Sequence, residues 1–270
     1  MLLSPNIIIS QQSLDSDDHY DVIYSNLDFL NGLLSVYVDY AEIAPEAVHS
    51  YFVDYYATQM NNGGFAEFVY HSDWNASKIE SVREGLNALQ ASQHLQHFIK
   101  MSALVDEMSQ ADLKLLLNEN YFGDNQQRDH LNQLNHDYFA IDQVEDLMEI
   151  NYQWLINHPN TVVLDEDLLW GEIEKISNQV TDRDLRKQRF LATQPRIIQI
   201  VHALCQSVGQ EFERPTITSP TDYEGKRVVE YHFISDAGHF YLIDLGYEAR
   251  MFDKKKQQIS AIDVSHIAVE

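Results

Sequence analysis

Up to Leu169 the chain carries 27 Asp and Glu but only five Lys and Arg (Lys78, Arg83, Lys100, Lys114 and Arg128), whereas the rest carries 15 acidic and 13 basic residues. That asymmetry, −22 against −2, is met most simply by two domains with different jobs. His158-Pro159-Asn160 is a turn signal that ends a preceding helical pattern, so the expected division is 1–160 and 161–270. A hydrophobic content of 44% over 270 residues supports a real core in a chain of this length.

The acidic part reads as helix throughout. In residues 17 to 38, Ile23, Leu27, Leu30, Leu34 and Val38 recur at three- and four-residue steps, and Asp17, Asp21 and Asp28 fall about 120° round the helix from them. Further helices are expected in PEAVHSYFVDYYATQM, SKIESVREGLNAL, QHLQHFIKMSALVDEM, QADLKLLLNEN, QQRDHLNQLNHDYF and VEDLMEINYQWLINH, six to eight in all. Ser77 to Glu80 and Asp142 to Glu145 have capping-box spacing and predict helix starts.

The second part opens with DEDLLWGEIEKISNQV and DRDLRKQRFLATQPRIIQIVHALCQSV, the latter kinked or split at Pro195. After Arg214 the period changes to two: RVVEYHFIS, HFYLIDLG and EARMFD are short, rich in β-branched and aromatic residues, and separated by glycine-bearing turns. The fold class is therefore mainly α, a helical N-terminal domain followed by a smaller α+β domain with an antiparallel β-meander.

QMNNGGFAEF, residues 59 to 68, interrupts the helical pattern. A helix ending near Met60 needs a residue tolerant of left-handed φ, which Asn62 or Gly63 supplies, while Gly64 lets the next helix start close by and Phe65 enters the core. A phosphate-binding nest is the functional alternative, but it normally follows a strand and carries Lys or a longer glycine pattern. Asn61, Asn62, Gly63, Gly64 and Phe65 thus read as a structural corner.

The stretch YFVDYYATQMNNGGFAEFVYHS, an aromatic helix running into Asn-Asn-Gly-Gly-Phe and a second aromatic helix, resembles the acidic bacterial DNA-mimic protein family over residues 16 to 158. Glu67 and His71 depart from the glutamine and asparagine usual there. The resemblance implies a compact helical protein, often dimeric, that occupies the DNA-binding surface of a transcription factor and so takes part in transcription regulation.

Charge density agrees with that reading independently. Duplex DNA carries one charge per roughly 1.7 Å, so 22 charges correspond to about 37 Å of duplex. A compact domain of this size is roughly 40 Å across. Asp142, Glu145, Asp146 and Glu149 have the i, i+3, i+4, i+7 spacing of one helical stripe, with no Lys or Arg between Arg128 and Lys175. A solvated acidic face is the bland reading of that stripe; a partner-binding surface is the other. Asp106 and Glu107 join the candidate surface, and Asp112, Glu119, Asp124 and Asp129 could extend it.

Other chemistry finds little support. His94 and His97 lie one turn apart without an HExxH and read as ordinary surface or core histidines. DSDDHYD and DEDLL lack the calcium-loop pattern and read as solvated helix starts. Cys205 reads as a small buried residue, and a single cysteine fits a reducing cytoplasm. No export signal or membrane span is visible, so a cytoplasmic protein is expected.

No nucleotide-binding or hydrolase motif is present; the expectation is no enzyme, no cofactor and no metal. Direct nucleic-acid binding by the first part is disfavoured by its shortage of Lys and Arg, and Lys254-Lys255-Lys256 reads as a hairpin turn. Three classes remain: a DNA mimic that sequesters a basic DNA-binding protein such as a transcription factor, an immunity- or antitoxin-like inhibitor of a nuclease, and a hydrolase using paired carboxylates.

Overall fold

A computed structural model describes residues 2–117 and 123–268. The backbone divides into two compact units, 1–181 and 182–270.

The first unit begins with strand β1 (Ile7–Ser10), whose three isoleucines are all buried, as a short apolar run covered on both sides requires. It pairs in parallel with β2 (Thr161–Leu164), Ile7 opposite Thr161 and Ser10 opposite Leu164. A parallel pair needs a crossover, and here it contains ten helices among the described residues. They are α1 (Gln11–Leu14), α2 (Tyr20–Ser35), α3 (Pro45–Gly63), α4 (Phe65–Ser72), α5 (Ala76–Ala88), α6 (Ser92–Asp106), α7 (Gln110–Leu116), α8 (Gln126–Asn132), α9 (Asn135–Asp142) and α10 (Leu147–Asn157), with a 3-10 turn at Tyr40–Glu42. The unit then continues past the division expected at residue 160, because α11 (Glu166–Ser177) packs on α2. Ile173 lies over Gly32, where an added Cβ would stand only 2.4 Å from Ile173 Cδ1.

The helical expectation for this part holds with four corrections. It is not all helix, since β1 and β2 pair across it. The described residues up to 158 form ten α-helices, not six to eight, partly because QQRDHLNQLNHDYF breaks at Gln133-Leu134 into α8 and α9. The buried side of α2 is Val22, Ile23, Asn26, Phe29, Leu30 and Leu33, with Leu27 and Leu34 only on its shoulders. Both proposed capping boxes move: α5 is capped by Asn75, whose Oδ1 accepts from Ser77 N and Lys78 N, and α10 by Asp146, whose Oδ1 accepts from Glu149 N at 3.0 Å.

The corner is real, and its left-handed residue is Gly64, not Asn62 or Gly63. Asn61 to Gly63 complete the last turn of α3, and Gly64, at φ 82° and ψ −164°, reverses the chain in a region essentially reserved for glycine. Asn135, the first residue of α9, lies against it and accepts from Phe65 N at 3.1 Å. Phe65 is fully buried, among Tyr56, Phe68 and Phe98 at ring separations of 5.6–6.4 Å. This aromatic cluster is the core of α3 to α10; a second cluster joins β1, α2, α10 and α11.

Asp54 on α3 is the charge this packing treats worst. Only 8% exposed, its carboxyl is pushed up to about 6 by burial, in spite of hydrogen bonds with Tyr20 and Thr58 that pull the other way. Because the folded form holds its proton more tightly than the unfolded chain, this group favours folding below pH 4 and the advantage is lost as pH rises through 6. Asp54→Asn should therefore match the parent at pH 4 and exceed it at pH 7 by about 3 kcal/mol, about two pH units of differential proton binding. Denaturant titrations of both proteins at the two pH values test this; a pH-independent difference would reject it.

The second unit comprises α12 (Arg183–Ala192), α13 (Arg196–Ser207) and a five-stranded antiparallel meander, β3 (Phe212–Tyr223), β4 (Lys226–Ser235), β5 (Gly238–Asp244), β6 (Glu248–Asp253) and β7 (Gln258–Asp263), in sequential order. Pro195 splits the long helical pattern, as expected. Ile200, Val201, Leu204 and Cys205 of α13 cover Phe233, Phe240, Leu242 and Met251 of the sheet. β3 and β7 were not foreseen. β3 carries Pro215 and Pro220 and tolerates them because it is an edge strand with two register shifts. Lys254, Lys255 and Lys256 do lie in the turn from β6 to β7.

Candidate protein-binding surface

Division at Thr181 sharpens the charge asymmetry: the first unit holds 29 Asp and Glu against six Lys and Arg, the second 13 against 12. Asp17, Asp21 and Asp28 are exposed, Asp17 in the turn before α2 and the other two along its outer side. Asp21 and Asp28 border a groove of about 220 Å³ whose other walls include Ser10, Gln12, Tyr24, Leu169 and Glu166. Glu166, in the DEDLL run read as a solvated helix start, is the acidic member that local spacing could not find. It reaches α2 only because Gln12 Oε1 accepts its backbone N–H at 2.9 Å and α11 packs back on α2.

The proposed stripe of Asp142, Glu145, Asp146 and Glu149 does not exist as one helical face. Asp142 ends α9, Glu145 lies in the connection, Asp146 caps α10 and Glu149 is in its first turn. The i, i+3, i+4, i+7 spacing is broken by a turn at Gln143 to Glu145, whose N–H groups close on the last carbonyls of α9. Two of these carboxylates face inward partners. Glu145 accepts from Gln93 N at 3.0 Å and His94 N at 3.2 Å at the start of α6. Asp142 Oδ1 accepts from Leu147 N and lies 3.4 Å from His94 Nε2; that histidine contact and the backbone bond hold its carboxyl below the usual range.

Glu149 is placed differently. Gln153 and His19 both hydrogen-bond it and hold its carboxyl below the usual range. The His19 Nδ1 contact is 2.7 Å, and the same imidazole stacks on Tyr152 at 3.8 Å. His19 thereby ties the segment Asp15–Asp21 to the first turn of α10. Asp17, Asp18 and Asp21 lie within two residues of this link, so carboxylates 128 to 132 positions from Glu149 in sequence come to one region of the surface with it.

Asp106 and Glu107 sit apart from that link, at the C-terminal end of α6. Both are exposed where the helix dipole disfavours negative charge by about 0.3–1 kcal/mol each. Asp106 is steadied by Trp74 Nε1–H at 3.0 Å. Asp112, Asp124 and Asp129 are at the surface, Asp112 half-exposed and the others exposed, with Asp129 paired to Arg128. Glu119 lies outside the described residues.

His94 and His97 are core residues. Their rings pack against Tyr138, and burial lowers His97 to about 4, so it is neutral at physiological pH. Burial pushes the Cys205 thiol up to about 11, which leaves it protonated and a poor nucleophile. Among the described residues no group of three or more His, Cys, Asp or Glu could hold a metal, and no helix is long and apolar enough to cross a membrane.

A protein-family model described as "DMP19-like protein" matches residues 41–158. The matched span runs from the 3-10 turn through α10 and includes the Gly64 corner; β1, α2, α11 and the second unit lie outside it. No curated protein matches the chain, and no solved structure does.

Proposed function

We propose that the first unit is a DNA mimic that occupies the DNA-binding surface of a basic protein, a transcription factor being the favoured partner. The observation that carries this reading is the His19–Glu149 contact, which gathers the acids of the α2 approach and of α10 in one region of a unit bearing a net charge of −23. Similarity of residues 41–158 to the DMP19-like family, which suggests DNA mimicry, supports the same reading.

Mechanism follows from electrostatics. A DNA-binding surface presents Lys and Arg spaced to neutralise phosphates, and exposed carboxylates on a rigid helical frame offer it comparable charge without counterion release from a duplex. The long-range field steers encounter, and Glu149, held by His19 and Gln153, gives the surface a fixed point of register. Charge on this scale is screened over about 8 Å at physiological ionic strength, so affinity should fall steeply between about 50 and 300 mM salt.

Capture of partners from the host at low salt, with identification by mass spectrometry, followed by a DNA-release assay, tests the reading. A DNA-binding protein that releases its duplex on titration with this chain is the expected result. A captured nuclease losing activity would favour the inhibitor reading, and affinity indifferent to salt would reject mimicry altogether. Asp17→Asn/Asp21→Asn/Asp28→Asn should weaken the complex about tenfold or more at low salt, mainly by slowing association, while melting stays within a few degrees of the parent.

A further inference from the structure

Three helices of the first unit meet along the early turns of α3. α2 reaches it through Asn26, whose Nδ2–H donates to Ala47 O at 3.2 Å, and α10 through Asn151, whose Nδ2–H donates to Ser50 O at 3.2 Å. α10 also packs on α2, which closes the triangle. Asn26, Ser50 and Asn151 are all buried, so each needs its polar atoms partnered from inside the protein.

That set of partners is incomplete in a regular way. Among the described residues no hydrogen bond reaches Asn26 Oδ1, Ser50 Oγ or Asn151 Oδ1. The orientation of both amides is fixed, because the carbonyls of Ala47 and Ser50 can only accept and therefore take the Nδ2 ends. In each asparagine it is the oxygen that is left over. Two of the three orphaned groups are pure acceptors and only the Ser50 hydroxyl has a proton to give, so they cannot satisfy one another. Ala47 and Ser50 are also the smallest buried side chains of α3, which makes the helix thinnest where the two asparagines approach it.

We propose that Asn26, Ser50 and Asn151 form a binding site for one internal water molecule that joins α2 to α3 and α10. Water donates one proton to Asn26 Oδ1 and the other to Asn151 Oδ1, and accepts from Ser50 Oγ–H. All three groups are then satisfied, and three bonds are the usual complement of a buried water. A divalent cation fits less well, since calcium and magnesium take six or more oxygens with carboxylates among them, and these three oxygens are neutral. α3 and α10 lie within residues 41–158 whereas α2 lies outside them, so the water seats the helix bearing Asp21 and Asp28 on the family-matched core. The inference stands on packing in this unit and not on the identity of any partner.

Nitrogen-15-resolved NOE and ROE spectra of the full chain in water are the test. A water molecule that tumbles with the protein gives cross-peaks of opposite sign in the two spectra, whereas proton exchange gives the same sign in both. Opposite-sign cross-peaks from water to the side-chain Nδ2 protons of both Asn26 and Asn151 are expected. Their absence at either side chain would overturn the proposal.

Ser50→Ala separates a bound water from a relay through the serine hydroxyl. The cross-peaks should persist in this variant, because the two amide oxygens still hold the water, and their disappearance would assign them to the hydroxyl and overturn the proposal. Denaturant titration supplies the second readout. Loss of the Ser50–water hydrogen bond should lower the folding equilibrium constant about fivefold. In a dry junction the same substitution removes an orphaned hydroxyl, so a variant as stable as the parent, or more stable, would also overturn the proposal.

Discussion

Gly64→Ala is expected to lower the melting temperature of the helical unit by about 10 °C, because one methyl group meets two separate penalties. At φ 82° and ψ −164° an L-residue is strained by about 1–3 kcal/mol. The new Cβ would also stand 1.7 Å from Asn135 Nδ2, and such overpacking adds about 1–3 kcal/mol. Asn135 cannot simply swing away, since its Oδ1 accepts from Phe65 N and its Nδ2 donates to Asn132. A combined loss of about 4 kcal/mol corresponds to roughly 8–16 °C in a unit of this size. Thermal melts of Gly64→Ala, Asn135→Ala and the double variant separate the two penalties. The double variant should lose less than the sum of the singles, because removing Asn135 relieves the clash but not the backbone strain. Additive losses would show that the Asn135 contact contributes nothing, and a parental melt for Gly64→Ala would refute the account of the corner.

Neutralising Asp142, Glu145, Asp146 and Glu149 together should destabilise the protein by about 3 kcal/mol, summing two to three lost or weakened caps at about 1 kcal/mol each. Spacing alone predicts the reverse, since like charges at i, i+3 and i+4 on one helix repel. The structure changes the sign because Glu145 receives two N–H groups of α6, Asp142 receives Leu147 N and Asp146 caps α10. Asp146→Ala alone should cost about 1 kcal/mol, and Glu145→Gln should lower stability while Glu149→Gln leaves it near the parent. Denaturant titration of the single variants checks that order. A quadruple variant as stable as the parent would return these residues to the status of a solvated face. The same order matters for partner binding: an effect of the quadruple variant is readable only after its stability is known, whereas Asp17, Asp21 and Asp28 can be neutralised without removing a helix cap.

Local chemistry alone determined much of this protein. The charge asymmetry, the helical nature of the described residues between 16 and 158, the split at Pro195, the break around residues 61 to 65 and the burial of Phe65 all follow from periodicity, propensity and glycine or proline geometry acting within a few residues. Where an answer depended on which of two adjacent candidates wins, sequence was not enough: Asn75 over Ser77, Asp146 over Asp142, Gly64 over Asn62. Each was settled by where the chain turns, and that is set by distant packing such as Asn135 against Gly64.

Only tertiary structure decided what lies beside what. The pairing of β1 with β2 joins residues about 150 positions apart, and no local pattern announces a four-residue parallel strand within a helical unit. The same holds for the surface: His19 meeting Glu149, and Glu166 meeting Asp21 and Asp28, are products of α10 and α11 folding back on α2. Sequence determines how many charges the unit must carry and which residues tolerate solvent, because those are properties of single side chains and their near neighbours. Which carboxylates form a common surface and which are consumed as helix caps is a property of helix packing, and it appears only when the helices are in place.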